Sequence, residues 1–110
     1  MFSNREAVLM ILFDLPVKTK KQRRDYRRFR GAMLKQGFTM LQESVYFKIL
    51  SNVSSYASQR LELSQYKPRT GNIQFLSIPL NSFLKMDAMV GASFDFNKCL
   101  APVLRISDLY

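Results

Sequence analysis

Seven consecutive apolar residues, Ala7-Val8-Leu9-Met10-Ile11-Leu12-Phe13, stand near the start of the chain and are closed off by Asp14-Leu15-Pro16. The run is too short for a typical helix, carries β-branched residues at Val8 and Ile11, and suits a strand buried on both faces. Such a strand needs cover above and below. In a small domain whose helices all lie on one side of a sheet, the other side is covered most simply by a second copy of the chain. A length of 110 residues gives room for one domain and one core, and little for a deep cleft.

The chain then turns cationic. Between residues 18 and 35 stand nine basic residues (Lys18, Lys20, Lys21, Arg23, Arg24, Arg27, Arg28, Arg30 and Lys35) against one acid, Asp25, so this segment holds nearly all of the net charge of +9. Charge gathered in one segment points to a polyanion as partner. A basic helix lying on a membrane surface is the competing use. It is the weaker one, because the apolar positions of the segment are few and are needed for a core. No apolar run approaches the roughly 18 residues that span a membrane. Residues 1–6 lack the layout of a secretory signal, and the single Cys99 has no internal disulfide partner. A cytoplasmic protein without membrane association is expected.

Thr19 and Gln22 have the spacing of a capping box, which predicts a helix from about Lys20, ended by Gly37. At about 100° per residue, Gln22, Tyr26, Phe29, Met33 and Gln36 share one face. Arg23, Arg27 and Arg30 flank that face, and Arg24, Arg28 and Lys35 lie opposite it. Crowded like charges do not stabilise a helix, so an external anion accounts for them better.

Residues 38–50 read as two short strands joined near Glu43-Ser44, or as one strand with a sharp bend there, and Ser51-Asn52 offers an N-cap to a second helix carrying Val53, Tyr56, Ala57, Arg60, Leu61 and Ser64. After a turn-rich stretch, residues 73–80 read as a strand whose Pro79 marks an end or an edge. Asn81 or Ser82 is expected to cap a turn carrying Phe83 and Leu84, followed by a short strand at residues 86–90. The tail, residues 92–110, is apolar enough to be ordered and offers Val103-Leu104-Arg105-Ile106 as a last strand. Strand, helix, two strands, helix, strand is the α+β, ferredoxin-like βαββαβ order, here over residues 1–91 with an extra C-terminal strand. That fold hosts many functions. The segment around Tyr46-Phe47-Lys48 lacks the pattern of an RNA-stacking strand. Tyr26, Phe29, Tyr46 and Phe47, at helical and strand spacing, are read as core rather than as base-stacking groups.

The chain has no histidine, which removes the commonest general base, and no Ser/Lys or Cys/Asp constellation replaces it. Asp14, presented by the turn at Pro16, reads on its own as a turn-capping carboxylate.

Four motifs resemble one family in order and spacing: Leu9-Met10-Ile11-Leu12-Phe13-Asp14-Leu15-Pro16, Tyr26-Arg27-Arg28-Phe29-Arg30, the segment Gly37-Phe38-Thr39-Met40-Leu41-Gln42-Glu43-Ser44-Val45-Tyr46, and Gly71-Asn72-Ile73. The family is the small second CRISPR-associated protein, the adaptation subunit at the centre of the spacer integrase, in the versions found beside type II systems. The similarity covers about residues 8 to 91. It implies a homodimer formed through a sheet face, with Asp14 where the family places its metal-binding aspartate. Magnesium takes one or two carboxylates, so Asp14 from both subunits would suffice to hold Mg2+.

Lys18, Lys20, Lys21, Arg23, Arg24, Arg27, Arg28 and Arg30 form the nucleic-acid-binding set, the arginines lying, by this resemblance, along the backbone of incoming double-stranded DNA. Phosphate contacts carry no sequence information, which suits a protein that accepts arbitrary DNA. The tail would dock on the integrase subunit, the first CRISPR-associated protein, or on the dimer mate. The expected function is a non-sequence-specific DNA scaffold in spacer acquisition. The family also carries an endoribonuclease label, so the alternative is a magnesium-dependent nuclease in which Asp14 is the catalytic residue and the metal activates water. A basic RNA-associated module is the third reading.

Overall fold

The computed structural model describes residues 6–52 and 55–91. The apolar run becomes β1 (Ala7–Asp14), followed by α1 (Lys20–Lys35), β2 (Thr39–Gln42), β3 (Val45–Leu50), α2 (Ser55–Ser64), β4 (Asn72–Pro79) and a short α3 (Leu80–Phe83). The four strands form one antiparallel sheet in the order β2-β3-β1-β4. This is the ferredoxin-like arrangement predicted from the pattern. The strand expected at residues 103–106 and the rest of the tail lie outside the described residues.

β1 is central, and both of its faces are used. Leu9, Ile11 and Phe13 enter one core with Phe29, Ala32 and Met33 of α1, Tyr46 and Leu50 of β3, and Leu63 of α2. Val8 and Met10 enter a second core, on the far side of the sheet, with Phe47, Leu80 and Phe83. Seventeen apolar side chains are buried and no polar one is, among the described residues. Phe13 is the centre of an aromatic group, with ring centroids 6.1 Å from Tyr26, 6.0 Å from Phe29 and 5.7 Å from Tyr46. Phe29, Tyr46 and Phe47 are thus core residues, as their spacing indicates.

Both ends of α1 follow from local chemistry. Thr19 Oγ1 accepts from the Gln22 amide at 3.1 Å, and Gln22 Oε1 accepts from the amides of Thr19 at 3.0 Å and Lys18 at 2.9 Å. The capping box therefore satisfies three backbone donors. At the other end the Gly37 amide donates to Leu34 O at 3.1 Å and the Phe38 amide to Met33 O at 3.0 Å. With Gly37 at φ +94 this is a Schellman motif, which a left-handed glycine makes without strain. The partly buried amine of Lys48 adds a bond to Gln36 O at 2.6 Å, and its partial burial holds its pKa below the usual lysine range. Asn52 Oδ1 accepts from the Ser55 amide at 3.2 Å at the start of α2, as expected of an N-cap.

Two expectations are corrected after β4. Pro79, not Asn81 or Ser82, stands at the N-cap of α3, in an extended conformation and with no side-chain cap. Proline ends the strand because it has no amide to donate, and the first helical amide, Leu80 N, is satisfied by Glu6 O at 3.1 Å. Residues 86–90 form no strand. A strand needs an edge to pair with, and after α3 the chain has crossed onto the face of the sheet, where none is offered. α3 covers part of the far face, so the chain itself supplies some of the cover that the apolar run demands. Leu12, Leu41, Val45 and Ile49 remain half-buried there, and Leu76 is 48% exposed.

No helix among the described residues is long and apolar enough to cross a membrane.

Candidate nucleic-acid interface

Helix α1 presents its cations on the outside of the molecule, away from the sheet, and the fold sorts them into two groups. The first group is tethered. Arg23 turns back on the loop after β1, its Nη1 donating to Val17 O at 3.1 Å and Lys18 O at 2.9 Å. Arg30 Nε donates to Tyr46 Oη at 2.9 Å, and the Arg28 guanidinium lies 5.3 Å from the centre of the Tyr66 ring. The second group, Lys18, Lys20, Lys21, Arg24, Arg27 and Lys35, has exposed side chains that meet no partner among the described residues. Arg28 keeps its hydrogen-bond donors free, because a ring face takes none of them up.

No carboxylate among the described residues is paired with this charge. The first turn of α1 contains no acid. Asp25 is half-buried and faces a narrow crevice shared with Leu15, Pro16, Pro68 and Thr70. Cations with neither an acid beside them nor a structural task are the electrostatic footprint of an external polyanion.

Asp14 stands elsewhere. Side chains alternate along a strand, so Asp14 shares the far face with Val8, Met10 and Leu12, whereas Phe13 and the cationic helix are on the other side. The carboxylate is exposed, and its backbone register partner is Asn72 of β4. Gly71 fixes that junction. Its φ is +102, and a Cβ built there would lie 2.7 Å from Asp14 O, 2.8 Å from Leu15 Cδ2 and 3.0 Å from Pro16 Cδ. Only a glycine lets these two segments approach so closely. No group of three potential ligands among His, Cys, Asp and Glu occurs among the described residues. As a donor set, one exposed carboxylate fits an ion that keeps most of its water, as magnesium does, and does not fit a closed metal cage.

Tyr26 sits on the protein side of α1. Burial, with Tyr46 and Glu43 nearby, raises its phenol above the usual 10.0, against a smaller opposing effect of Arg30.

One feature of the surface escapes the sequence reading. A groove of about 570 Å³ runs beside β4, lined by Tyr56, Arg60, Leu61, Leu63, Ile73 and Phe75. Arg60 lies 5.6 Å from the centre of the Phe75 ring, and Leu61 is 71% exposed. An apolar residue left bare on a weakly amphipathic helix is the signal that was available for it.

A family model described as CRISPR associated protein Cas2 matches residues 7–86. The CRISPR-associated endoribonuclease Cas2 of Lacticaseibacillus rhamnosus is 45% identical over 83 residues, which cover 76% of this chain and 82% of that protein. The protein of the same name from Streptococcus mutans, strain UA159, is 37% identical over 78 residues, covering 71% and 72%. That from Treponema denticola is 34% identical over 85 residues, covering 77% and 84%.

Proposed function

The chain belongs to the CRISPR-associated protein Cas2 family, and from that premise we propose that it acts in spacer acquisition as a dimeric scaffold gripping duplex DNA by its phosphates. The observation that carries this reading is the row of α1 cations, Lys20, Arg24, Arg27 and Lys35, whose side chains meet no partner among the described residues. Contacts of this kind are strong, salt-dependent and indifferent to sequence. A helix of 16 residues is about 24 Å long. Two of them, related by a two-fold axis, straddle a duplex.

In this reading the half-covered sheet face, with Leu12, Val45 and Leu76, meets the same face of a second copy. That contact brings the two Asp14 carboxylates toward one another, and together they hold Mg2+ with water completing its shell. The tail, residues 92–110, docks on the mate or on the integrase subunit of the complex, all in the cytoplasm.

The second reading, a magnesium-dependent endoribonuclease, is favoured by the names of the relatives and by the single exposed carboxylate at Asp14. With no histidine in the chain, cleavage would rest on water activated by a metal that Asp14 of the two chains would hold.

Duplex binding measured by fluorescence anisotropy across a salt series tests the scaffold. Each of Arg24→Gln and Arg27→Gln is expected to weaken binding by about tenfold at low salt. Each also flattens the plot of log affinity against log salt by about 0.9, the loss of one phosphate contact. Binding that ignores salt, or both substitutions, would sink the scaffold. Asp14→Ala separates the two readings: RNA cleavage that needs Mg2+ and vanishes in this variant, with duplex binding intact, establishes the nuclease.

A further inference from the structure

Gly31 interrupts α1 at its twelfth position, in the interior of a helix that continues to Lys35. A glycine there destabilises the helix relative to alanine. Elsewhere the fold accounts for its glycines: Gly37 and Gly71 adopt positive φ, and Gly71 admits a close approach. Neither reason applies to Gly31. Its φ is not positive, it is exposed, and a Cβ built on it would meet no atom within 4 Å. Nothing inside the described molecule requires the missing side chain.

Its position is informative. At about 100° per residue, Gly31 points directly away from the buried line of Gln22, Phe29 and Met33. Lys20, Arg24, Arg27, Arg28 and Lys35 all lie within about 60° of it, with Leu34 at one border. Along the axis, the bare backbone is midway between Arg27 and Lys35, about 6 Å from each. The bare backbone is therefore a notch between the last arginines of the ridge and its closing lysine.

We infer that Gly31 sets the distance of closest approach between α1 and the sugar-phosphate backbone of the bound nucleic acid. This rests on the DNA-holding reading above and adds where, and how closely, the backbone is seated. The mid-helix amide is committed to its own helix and donates nothing outward, so the contribution is steric. The missing Cβ lets the strand settle onto the helix surface, while Arg24, Arg27 and Arg28 close on phosphates from one side and Lys35 from the other. The charge of the arc, with no acid in it, selects a polyanion over a second copy of this equally basic chain as occupant.

The test uses the full chain with Gly31→Ala, Gly31→Leu and Arg24→Gln, and a random-sequence duplex as probe. Alanine and leucine are good helix formers in open space, so both glycine variants fold. Gly31→Ala is expected to raise the melting temperature by about 3–6 °C. Gly31→Leu is expected to lower duplex affinity by roughly tenfold, with Gly31→Ala between it and wild type. Neither variant is expected to change the oligomeric state in light scattering. Greater stability with weaker binding supports the inference. If Gly31→Leu binds as tightly as wild type while Arg24→Gln weakens binding, the seat is elsewhere: the inference falls and the scaffold reading stands. If none of the three changes affects binding, both fall. A change of oligomeric state in Gly31→Leu means that another copy covers the glycine, and this too overturns the inference.

Discussion

On the helix side of the sheet Leu9, Ile11 and Phe13 meet Phe29, Met33 and Leu63, and each of these six side chains is less than a tenth exposed. On the other side Val8 and Met10 are covered by Leu80 and Phe83, while Leu12 is half-buried and Leu76 half-bare. The first face is finished within one chain and carries its charge on the outer surface of the covering helix. The second is left unfinished and has the Asp14 carboxylate at its rim. Completeness and charge therefore separate: the closed side carries the cations on its outer surface, and the open side carries bare apolar surface. A single sheet offers two unlike surfaces without a deep pocket on either.

The difference can be broken most forcefully at Phe29. Phe29→Ala empties a site 1% exposed at the centre of the closed side and is expected to cost about 3–5 kcal/mol in denaturant unfolding, whatever the protein concentration. A much smaller loss would mean that the closed side is not the main source of stability. Leu12→Asp combined with Leu76→Asp acts on the open side, where the loss within one chain is expected to be about 1–2 kcal/mol because both side chains keep contact with water. The larger effect is on association: light scattering should show a monomer that retains native circular dichroism. A persisting dimer would place the contact on another surface.

The smallest effect sharpens the closed side. The Tyr26 phenol has its pKa raised by burial, so above pH 10 the folded chain holds a proton that the unfolded chain gives up. Stability therefore falls as pH rises through that window, and Tyr26→Phe removes this contribution. Lys48, lowered by burial, acts in the opposite direction, so the comparison of interest is between wild type and variant in urea on either side of pH 10. Parallel pH profiles would show that Tyr26 titrates as it does in the unfolded chain.

The parts of this design that depend on near neighbours are legible in the sequence. The apolar run specifies a strand with two buried faces, Thr19 and Gln22 the start of α1, Gly37 its end, and Glu43-Ser44 the hairpin, in which Ser44 takes a φ of 71. What escapes depends on distant ones. Residues 86–90 have strand-like composition, and composition is blind to whether a pairing edge is within reach. Eight cations look equivalent in sequence, yet Arg30 is tethered by a tyrosine 16 residues away and Arg28 by the ring of Tyr66. Asp14 follows the strand and precedes the cations, and adjacency in sequence suggests that they work together. Strand parity says otherwise, because Asp14 falls in step with Val8, Met10 and Leu12 on the far face.

The close approach at Gly71 has a mechanical consequence. The backbone that opens β4 is seated against the carbonyl of Asp14 and the side chains of Leu15 and Pro16, and puts no side chain of its own between. β4 is an outer strand of the sheet. A load applied along that edge reaches, through this contact, the turn that presents Asp14.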